Sequence, residues 1–469
     1  MEHPAQKVTN KDAHRAFGDP TSPTRLALYS YVLFLVAWLF PPDIYTSIVN
    51  EPDLMFLNPN LFFFFTICTL TFVAAARISA LWVNSKPDSQ QSDANTASVT
   101  TICVPIVLCT LWALLYLRDI GTHLDVFALL FSQEGGIIKL ASSHTISSGW
   151  ISISVQLLIG TLWWSYTRYK QQKNITTDQR IYFTAVFATG FLVATLICIA
   201  TVDRTTFMPL VIGTLILGIH NRYAVGRLSR KQLFFAAIAF IGSISGIFAL
   251  FSFLRGSNNY QLLLQTFLGY SISSYNRMAA VLSGQIQSPF PGKPLHLIPF
   301  FVEAGSLENI LHLRRAFFWP DAYTLFQLEF SRIYASGLNG SLIWLGFFGY
   351  VYTDIGWLSP IYVGLIGFLT GWIWIRSQQR RIIGVILYPW LAFGIVFWVG
   401  WSIALSSNFF YFLGLAMVLW IYESLFFRTV KSAVITSNPF ASFSSSVIVL
   451  PQPTPFPAEI PPLPPDKAS

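Results

Sequence analysis

The chain has 469 residues, of which 54% are hydrophobic, 16% aromatic and only 11% charged, with 29 Lys and Arg against 21 Asp and Glu for a net charge of +8. A water-soluble domain of this length needs far more charged surface than that, so the composition excludes an ordinary soluble enzyme or binding module. The positive excess sits mainly in short connections between apolar blocks, which is a signature of membrane topology rather than of nucleic-acid binding.

In chain order, a polar segment over 1–25 precedes apolar blocks at 26–40, 61–82, 101–117, 150–166, 181–202, 207–220, 233–254, 357–375, 382–403 and 409–427. An apolar helix of about 20 residues crosses a hydrocarbon core of about 30 Å, and lipid offers no hydrogen bonds, so each crossing segment must satisfy its own backbone as a helix. The reading is an all-α polytopic membrane protein with about ten transmembrane helices. Pro41, Pro42 and Asp43 follow the first block where a cleavage site would need small residues, which predicts a retained anchor rather than a signal peptide. The predicted organisation is an N-terminal tail over 1–25, helices 1 to 7 over 26–254 with an outer loop at 118–149, a large outer loop over 255–341, an outer helical segment and helices 8 to 10 over 342–428, and a Pro/Ser-rich tail over 429–469 ending near PQPTPFPAEIPPLPP. That last composition favours extended, solvated chain.

Orientation follows from Lys and Arg, because cytoplasmic connections retain positive charge. With the N-terminus inside, 20 of these residues fall on the cytoplasmic side and nine outside, which predicts that both termini are cytoplasmic. The stretch 255–341 mixes aromatic and apolar runs such as YQLLLQTFLGYSISSYNRMAAVL and HLIPFFVEAG with charged stretches such as ENILHLRRAFFWPDAY, and predicts amphipathic helices that lie at the interface and cover the bundle. Cys68, Cys103, Cys109 and Cys198 all fall in apolar spans, so free buried thiols are expected. No CxxC pair, HExxH helix, Walker loop or GxGxxG turn occurs, and the residues imply no metal, nucleotide or other cofactor. GFLTG at 367–371 and GSISG at 242–246 space small residues four apart, as close helix packing requires.

Seven of the nine outward basic residues are Arg. Guanidinium offers a planar fork that matches phosphate oxygens in pairs, whereas Lys is a point charge, so the bias suits an anionic lipid-linked ligand. Arg204, in the tight VDRTTF turn between two spans, is the sharpest case; the competing reading is an ion pair with Asp203 or a lipid phosphate. Arg118, Arg277, Arg314, Arg315 and Arg332 are further phosphate candidates, although twelve outward acidic residues offer structural partners to some of them. A general base on this side has to come from Asp119, His123, Asp125, Glu303, His312, Asp321 or Asp354; His123 has a carboxylate two residues on, and Asp354 stands in YTDIG, where a helix N-cap is the structural alternative. Tyr275, Asn276, Tyr334 and Asn339 are candidates for hydrogen bonds to sugar hydroxyls, and Trp319 and Tyr323 for stacking on sugar faces.

The layout, the close helix pair around VDRTTFMPL, and the stretch SRIYASGLNGSLIWLGFFGYVYTDIGWLSPIYVGLIGFLTG over 331–371 resemble the Wzy-type oligosaccharide repeat-unit polymerases of bacterial O-antigen, capsule and exopolysaccharide. The resemblance implies a multi-span glycosyltransferase of the bacterial inner membrane that acts on its periplasmic face. An undecaprenyl-pyrophosphate-linked glycan would be moved as a block onto the terminal sugar of a second lipid-linked unit, with no nucleotide or metal. It implies a lipid-linked donor and acceptor and a chain-length regulator as partners. Ligases that move finished glycans to a final acceptor share the layout. A transporter or flippase of a lipid-linked solute is the alternative from another class, disfavoured by spans almost free of central charge and by the absence of repeated halves.

Overall fold

In the computed structural model the described residues are 19–84, 97–123, 125–132, 149–172, 175–224, 229–254, 260–288, 295–299, 312, 319–320, 322–340, 342, 344–401 and 404–427, and all regular structure among them is helical. These residues form sixteen described α-helices: α1 Pro23–Trp38, α2 Pro42–Val49, α3 Pro59–Asn84, α4 Val99–His123, α5 Val126–Phe131, α6 Gly149–Gln171, α7 Thr177–Ala200, α8 Arg204–Ala224, α9 Arg230–Leu254, α10 Tyr260–Ser271, α11 Ser273–Leu282, α12 Ala322–Ala335, α13 Gly346–Ile355, α14 Ser359–Gln378, α15 Ile382–Val396 and α16 Ser407–Phe426.

Local chemistry sets their boundaries. Proline occupies the first turn of α1, α2 and α14, where its missing N–H has no intrahelical partner to lose. Thr176 and Gln179 form a reciprocal capping box on α7, and the Asn58 side chain accepts the Leu61 amide at the start of α3 (3.1 Å). The Pro41–Pro42 pair bends the chain by 91° between α1 and α2. α2 then stops at Asn50, whose left-handed φ of 58° turns the chain inward and delivers Glu51 to the interior.

Among the described residues six segments are long and apolar enough to cross a membrane: Pro59–Trp82, Val99–Thr122, Thr177–Ala200, Ala237–Leu254, Gly346–Gln378 and Ser407–Phe426, or seven if the bent pair α1–α2 is one span. The remaining expected spans fall on helices that differ in quality. α6 and α8 have 23 and 21 residues but are more polar, and α15, expected to run to 403, ends at Val396 after 15 residues. Fifteen residues make a helix of only about 22 Å. α15 compensates by position, since nearly its whole surface is buried by other helices.

α3 and α14 pack closely along their length. A Cβ on Gly367 would lie 2.5 Å from the Phe72 carbonyl oxygen, and one on Gly371 would come closer still to that of Ala76, so the GFLTG expectation of close packing holds. The same expectation fails for GSISG. A Cβ on Gly242 or Gly246 would meet nothing within 4 Å, because that face of α9 carries no neighbour among the described residues.

Polar contacts mark two ends of the bundle. At one, here the tail end, His220 of α8 meets Asp19 at 2.9 Å, the amide of Gln378 donates to Asp19 (2.9 Å), and Arg168 of α6 pairs with Glu423 of α16. At the other, the cap end, α11 packs against α13, α3 and α1, and α10 against α2. The expectation of interfacial amphipathic helices needs correction for α11, in which every residue from Ser273 to Val281 is buried. A helix bearing Arg277 and Asn276 can be buried because the chain supplies a counterion, as described next.

Candidate functional site at the cap end

Three polar groupings occupy the cap end. The deepest centres on Glu51 and Arg277, both with side chains 0% exposed. Arg277 donates from Nη1 to Glu51 Oε1 (3.0 Å) and from Nη2 to Oε2 (2.7 Å), and reaches the carbonyls of Ser273 and Asn339 with the same two nitrogens. The Asn276 amide, the Asn339 backbone N–H and the Tyr45 hydroxyl also donate to the Glu51 carboxylate. A buried ion pair persists only when most of its remaining lone pairs and protons are satisfied; here both carboxylate oxygens and both terminal nitrogens of Arg277 have partners, and Nε alone has none among the described residues. Arg277, Asn276 and Asn339, expected as phosphate or sugar contacts, are therefore committed to tying α2, α11 and the 339–345 segment together. Tyr275 beside them is buried against Phe34 and Phe65 in the aromatic core, away from any sugar-accessible surface.

The second grouping centres on His296, whose side chain is 0% exposed. Its Nδ1 lies 2.8 Å from Asp354 Oδ1, and the backbone amides of His296 and Leu297 both donate to Asp354 Oδ2. Its Nε2 faces Glu329 Oε1 at 3.5 Å, an ion-pair distance, while Arg332 pairs with Glu329 one helical turn away. The rings of Tyr350 and Trp401 enclose the imidazole at 4.8 and 5.5 Å. Burial by itself would lower the His296 pKa, but the hydrogen bond to Asp354 and the charge of both carboxylates outweigh it and raise it to about 8. With His296 protonated, two cations balance two carboxylates; without that proton the buried group carries a net negative charge.

Asp354 consequently departs from the N-cap alternative. It lies in the last turn of α13, which ends at Gly356 with a φ of 58°, and its carboxylate turns inward onto His296 and the 295–299 turn. Asp354 can hold and orient an imidazole; it does not face solvent. The sequence reading weighed His123 and His312 and passed over His296, which was hidden in an apolar run.

The third grouping is Arg204, at the first position of α8. Asp203, its partner in the competing reading, instead caps the helix: Oδ1 accepts the Thr205 amide and hydroxyl, and Oδ2 the Thr206 hydroxyl. Arg204 is 4% exposed and sits among aromatic rings, with its guanidinium carbon 4.1 Å from the Tyr270 centroid, 5.0 Å from Phe248 and 6.0 Å from Trp344. No carboxylate among the described residues pairs with it. Aromatic faces attract a cation without neutralising it, so Arg204 keeps a full positive charge in a water-poor surround, where a charge acts over a longer range than in water.

These groupings are connected through the chain between α12 and α13. Asn339 accepts from Arg277, Leu342 packs on Gly269 of α10, and Trp344 stacks near both Arg204 and Tyr270. Of the other expected site residues, Arg118 is exposed, Asp119 half-buried, and Tyr334 77% exposed. Trp319 packs on Leu295 and Leu325, Asp125 caps α5 through the Ala128 amide, and His312 is exposed. Glu303, Arg314, Arg315 and Asp321 lie outside the described residues, as do the side chains of His123 and Tyr323. No protein-family model, no curated protein and no solved structure matches the chain.

Proposed function

We propose that this protein is a membrane glycosyltransferase that polymerises undecaprenyl-pyrophosphate-linked oligosaccharide repeat units on the periplasmic face of a bacterial inner membrane. Ten helices, α1, α3, α4, α6 to α9 and α14 to α16, cross the bilayer in this reading, with the tail end cytoplasmic and the cap end periplasmic. The single observation that carries it is Arg204: a nearly buried guanidinium, uncompensated by any described carboxylate, at the cap end of a bundle whose helices are apolar enough for a membrane. An uncompensated buried cation is a standing attraction for an anion, and a lipid pyrophosphate delivers one at this depth.

In the reaction, a hydroxyl of the acceptor's terminal sugar attacks the anomeric carbon of the donor glycan. A new carbon–oxygen bond forms, the bond from the anomeric carbon to the phosphate oxygen breaks, and undecaprenyl pyrophosphate leaves with the bonding pair. Arg204 stabilises the charge that develops on that leaving group. The hydroxyl proton passes to a base, for which Asp119, His123 and Asp321 are the candidates. Arg118, Arg314 and Arg315 serve the acceptor-side phosphate, whereas Arg277 and Arg332 already have carboxylate partners.

The test is the length ladder of surface and lipid-linked polysaccharide in a deletion strain, the complemented strain and an Arg204→Ala strain at matched protein level. Collapse to a single repeat in the deletion and in Arg204→Ala is the expected result. Long chains that persist on the lipid carrier without reaching their final acceptor would make the protein a ligase. An unchanged ladder in all three strains would remove glycan assembly and leave transport of a lipid-linked solute.

A further inference from the structure

The tail end carries a second basic feature, remote from Arg204 and not used by the proposed reaction. Where α1 and α3 meet, a cleft of about 310 Å³ is lined by Thr24, Arg25, Leu28, Tyr29 and Arg77. Both arginines are exposed and neither has an ion-pair or hydrogen-bond partner among the described residues. No acidic residue among the described residues lines the cleft. That matters for selectivity: a phosphate finds two guanidinium forks and two hydroxyls there, whereas the ammonium of a zwitterionic headgroup finds no counterion.

Apolar tracks lead away from this cleft. On α1, Val32 and Val36 continue the row begun by Leu28 and are 55% and 58% exposed. On antiparallel α3, the row running from Arg77 toward the cap end includes Leu70, 62% exposed. The Tyr31 hydroxyl and Thr66 Oγ1, 2.9 Å apart, join the two helices between these rows. A phosphate site at the end of two exposed apolar rows offers a phospholipid both a charge partner for its headgroup and apolar surface for its acyl chains.

We infer that the Arg25–Arg77 cleft binds the phosphate of an anionic phospholipid headgroup in the leaflet at the tail end, with its acyl chains laid along α1 and α3. Charge-assisted, forked bonds to phosphate are the strong class of hydrogen bond; a zwitterionic headgroup offers the same phosphate, so discrimination comes from its ammonium, which the two guanidinium charges repel, and is set at about tenfold.

The experiment uses the purified full chain in detergent, titrated with an equimolar mixture of dioleoyl phosphatidylglycerol and dioleoyl phosphatidylcholine and read by native mass spectrometry. Wild type is expected to retain phosphatidylglycerol over phosphatidylcholine by about tenfold, and Arg25→Gln/Arg77→Gln to fall close to parity. Arg180→Gln/Lys231→Gln, a charge-matched change at exposed positions on the same end, is expected to keep the preference. An unchanged preference in the Arg25/Arg77 variant overturns the site, and an equal loss in the control pair overturns it in favour of diffuse surface charge. Glycerol phosphate retained as well as the lipid overturns the lipid assignment and leaves a soluble phosphate ligand. Should the double variant fail to fold, Arg25→Gln and Arg77→Gln separately are each expected to lower the preference by about threefold, and two single variants that leave it untouched overturn the proposal.

Discussion

Arg204 and Arg277 are the same side chain in opposite electrostatic situations, and removing each should have opposite consequences. Arg277 and Glu51 neutralise one another where neither sees solvent. Glu51→Gln leaves the guanidinium buried and unpaired, which costs about 3–5 kcal/mol; the expected outcome is a large drop in thermal midpoint and in the yield of monodisperse protein. Replacing both partners by apolar residues, as in Glu51→Leu/Arg277→Met, removes the orphaned charge and is expected to recover part of that loss. Arg204 has no described counterion to orphan, so Arg204→Ala forfeits only its aromatic contacts, about 0.5–2 kcal/mol. Its fold should survive with a small shift in midpoint while the polysaccharide ladder collapses. Comparable destabilisation by Glu51→Gln and Arg204→Ala, measured on the same purified preparations, would mean that Arg204 is a structural residue and would remove the observation on which the proposed function rests.

At the level of elements, two Gly-x-x-x-Gly motifs with similar sequences have different neighbours. Gly371→Ala would push a methyl into the Ala76 backbone of α3; backbone cannot rotate aside, and overpacking of this kind costs about 1–3 kcal/mol. Gly246→Ala puts its methyl into open space on α9, where replacing glycine in a helix gains up to about 1 kcal/mol. Thermal midpoints are expected to fall for the first substitution and to hold or rise for the second; a fall of equal size for Gly246→Ala would reveal a packing partner on that face of α9. The contrast also shows what a linear sequence makes legible. Hydropathy locates the helices because membrane solvation acts on each segment independently, and every apolar block falls on a helix, although the one expected to reach 403 ends at Val396. Whether a small-residue stripe is packed depends on what arrives from elsewhere in the chain. The first block was expected to end at residue 40, before Pro41 and Pro42, but neither the bend there nor the short helix beyond it was read from the sequence. Glu51 and His296 were missed for the same reason: their decisive partners lie 226 and 58 residues away, and a lone Glu before proline, or a His inside an apolar run, carries no local sign of such a partner.

Across the whole molecule, the His296 group is where the 295–299 turn and α12 are fastened to the end of α13, so its protonation couples the cap to the bundle. The imidazole titrates near 8 in the folded protein against an ordinary value of 6.5. A raised folded pKa means that the folded state holds the proton more tightly than the unfolded chain, so this stabilisation is full below about pH 6.5 and is lost as pH rises through about 8. A shift of that size corresponds to about 2 kcal/mol, enough to move a thermal midpoint by a few degrees. The physical cause is the charge count: losing the proton leaves Asp354 and Glu329 facing one another across a neutral ring, with Arg332 the one cation paired with them among the described residues. The Trp401 ring, 5.5 Å from the imidazole, makes tryptophan emission a suitable readout. The midpoint of wild type is expected to decline between pH 6.5 and 8.5, and that of His296→Gln, which has no proton to lose there, to start lower and stay level over the same interval. A parallel decline in both proteins would assign the pH dependence to other groups and leave His296 as a packing residue; a decline confined to wild type would establish the cap as fastened by a charge that alkaline conditions remove.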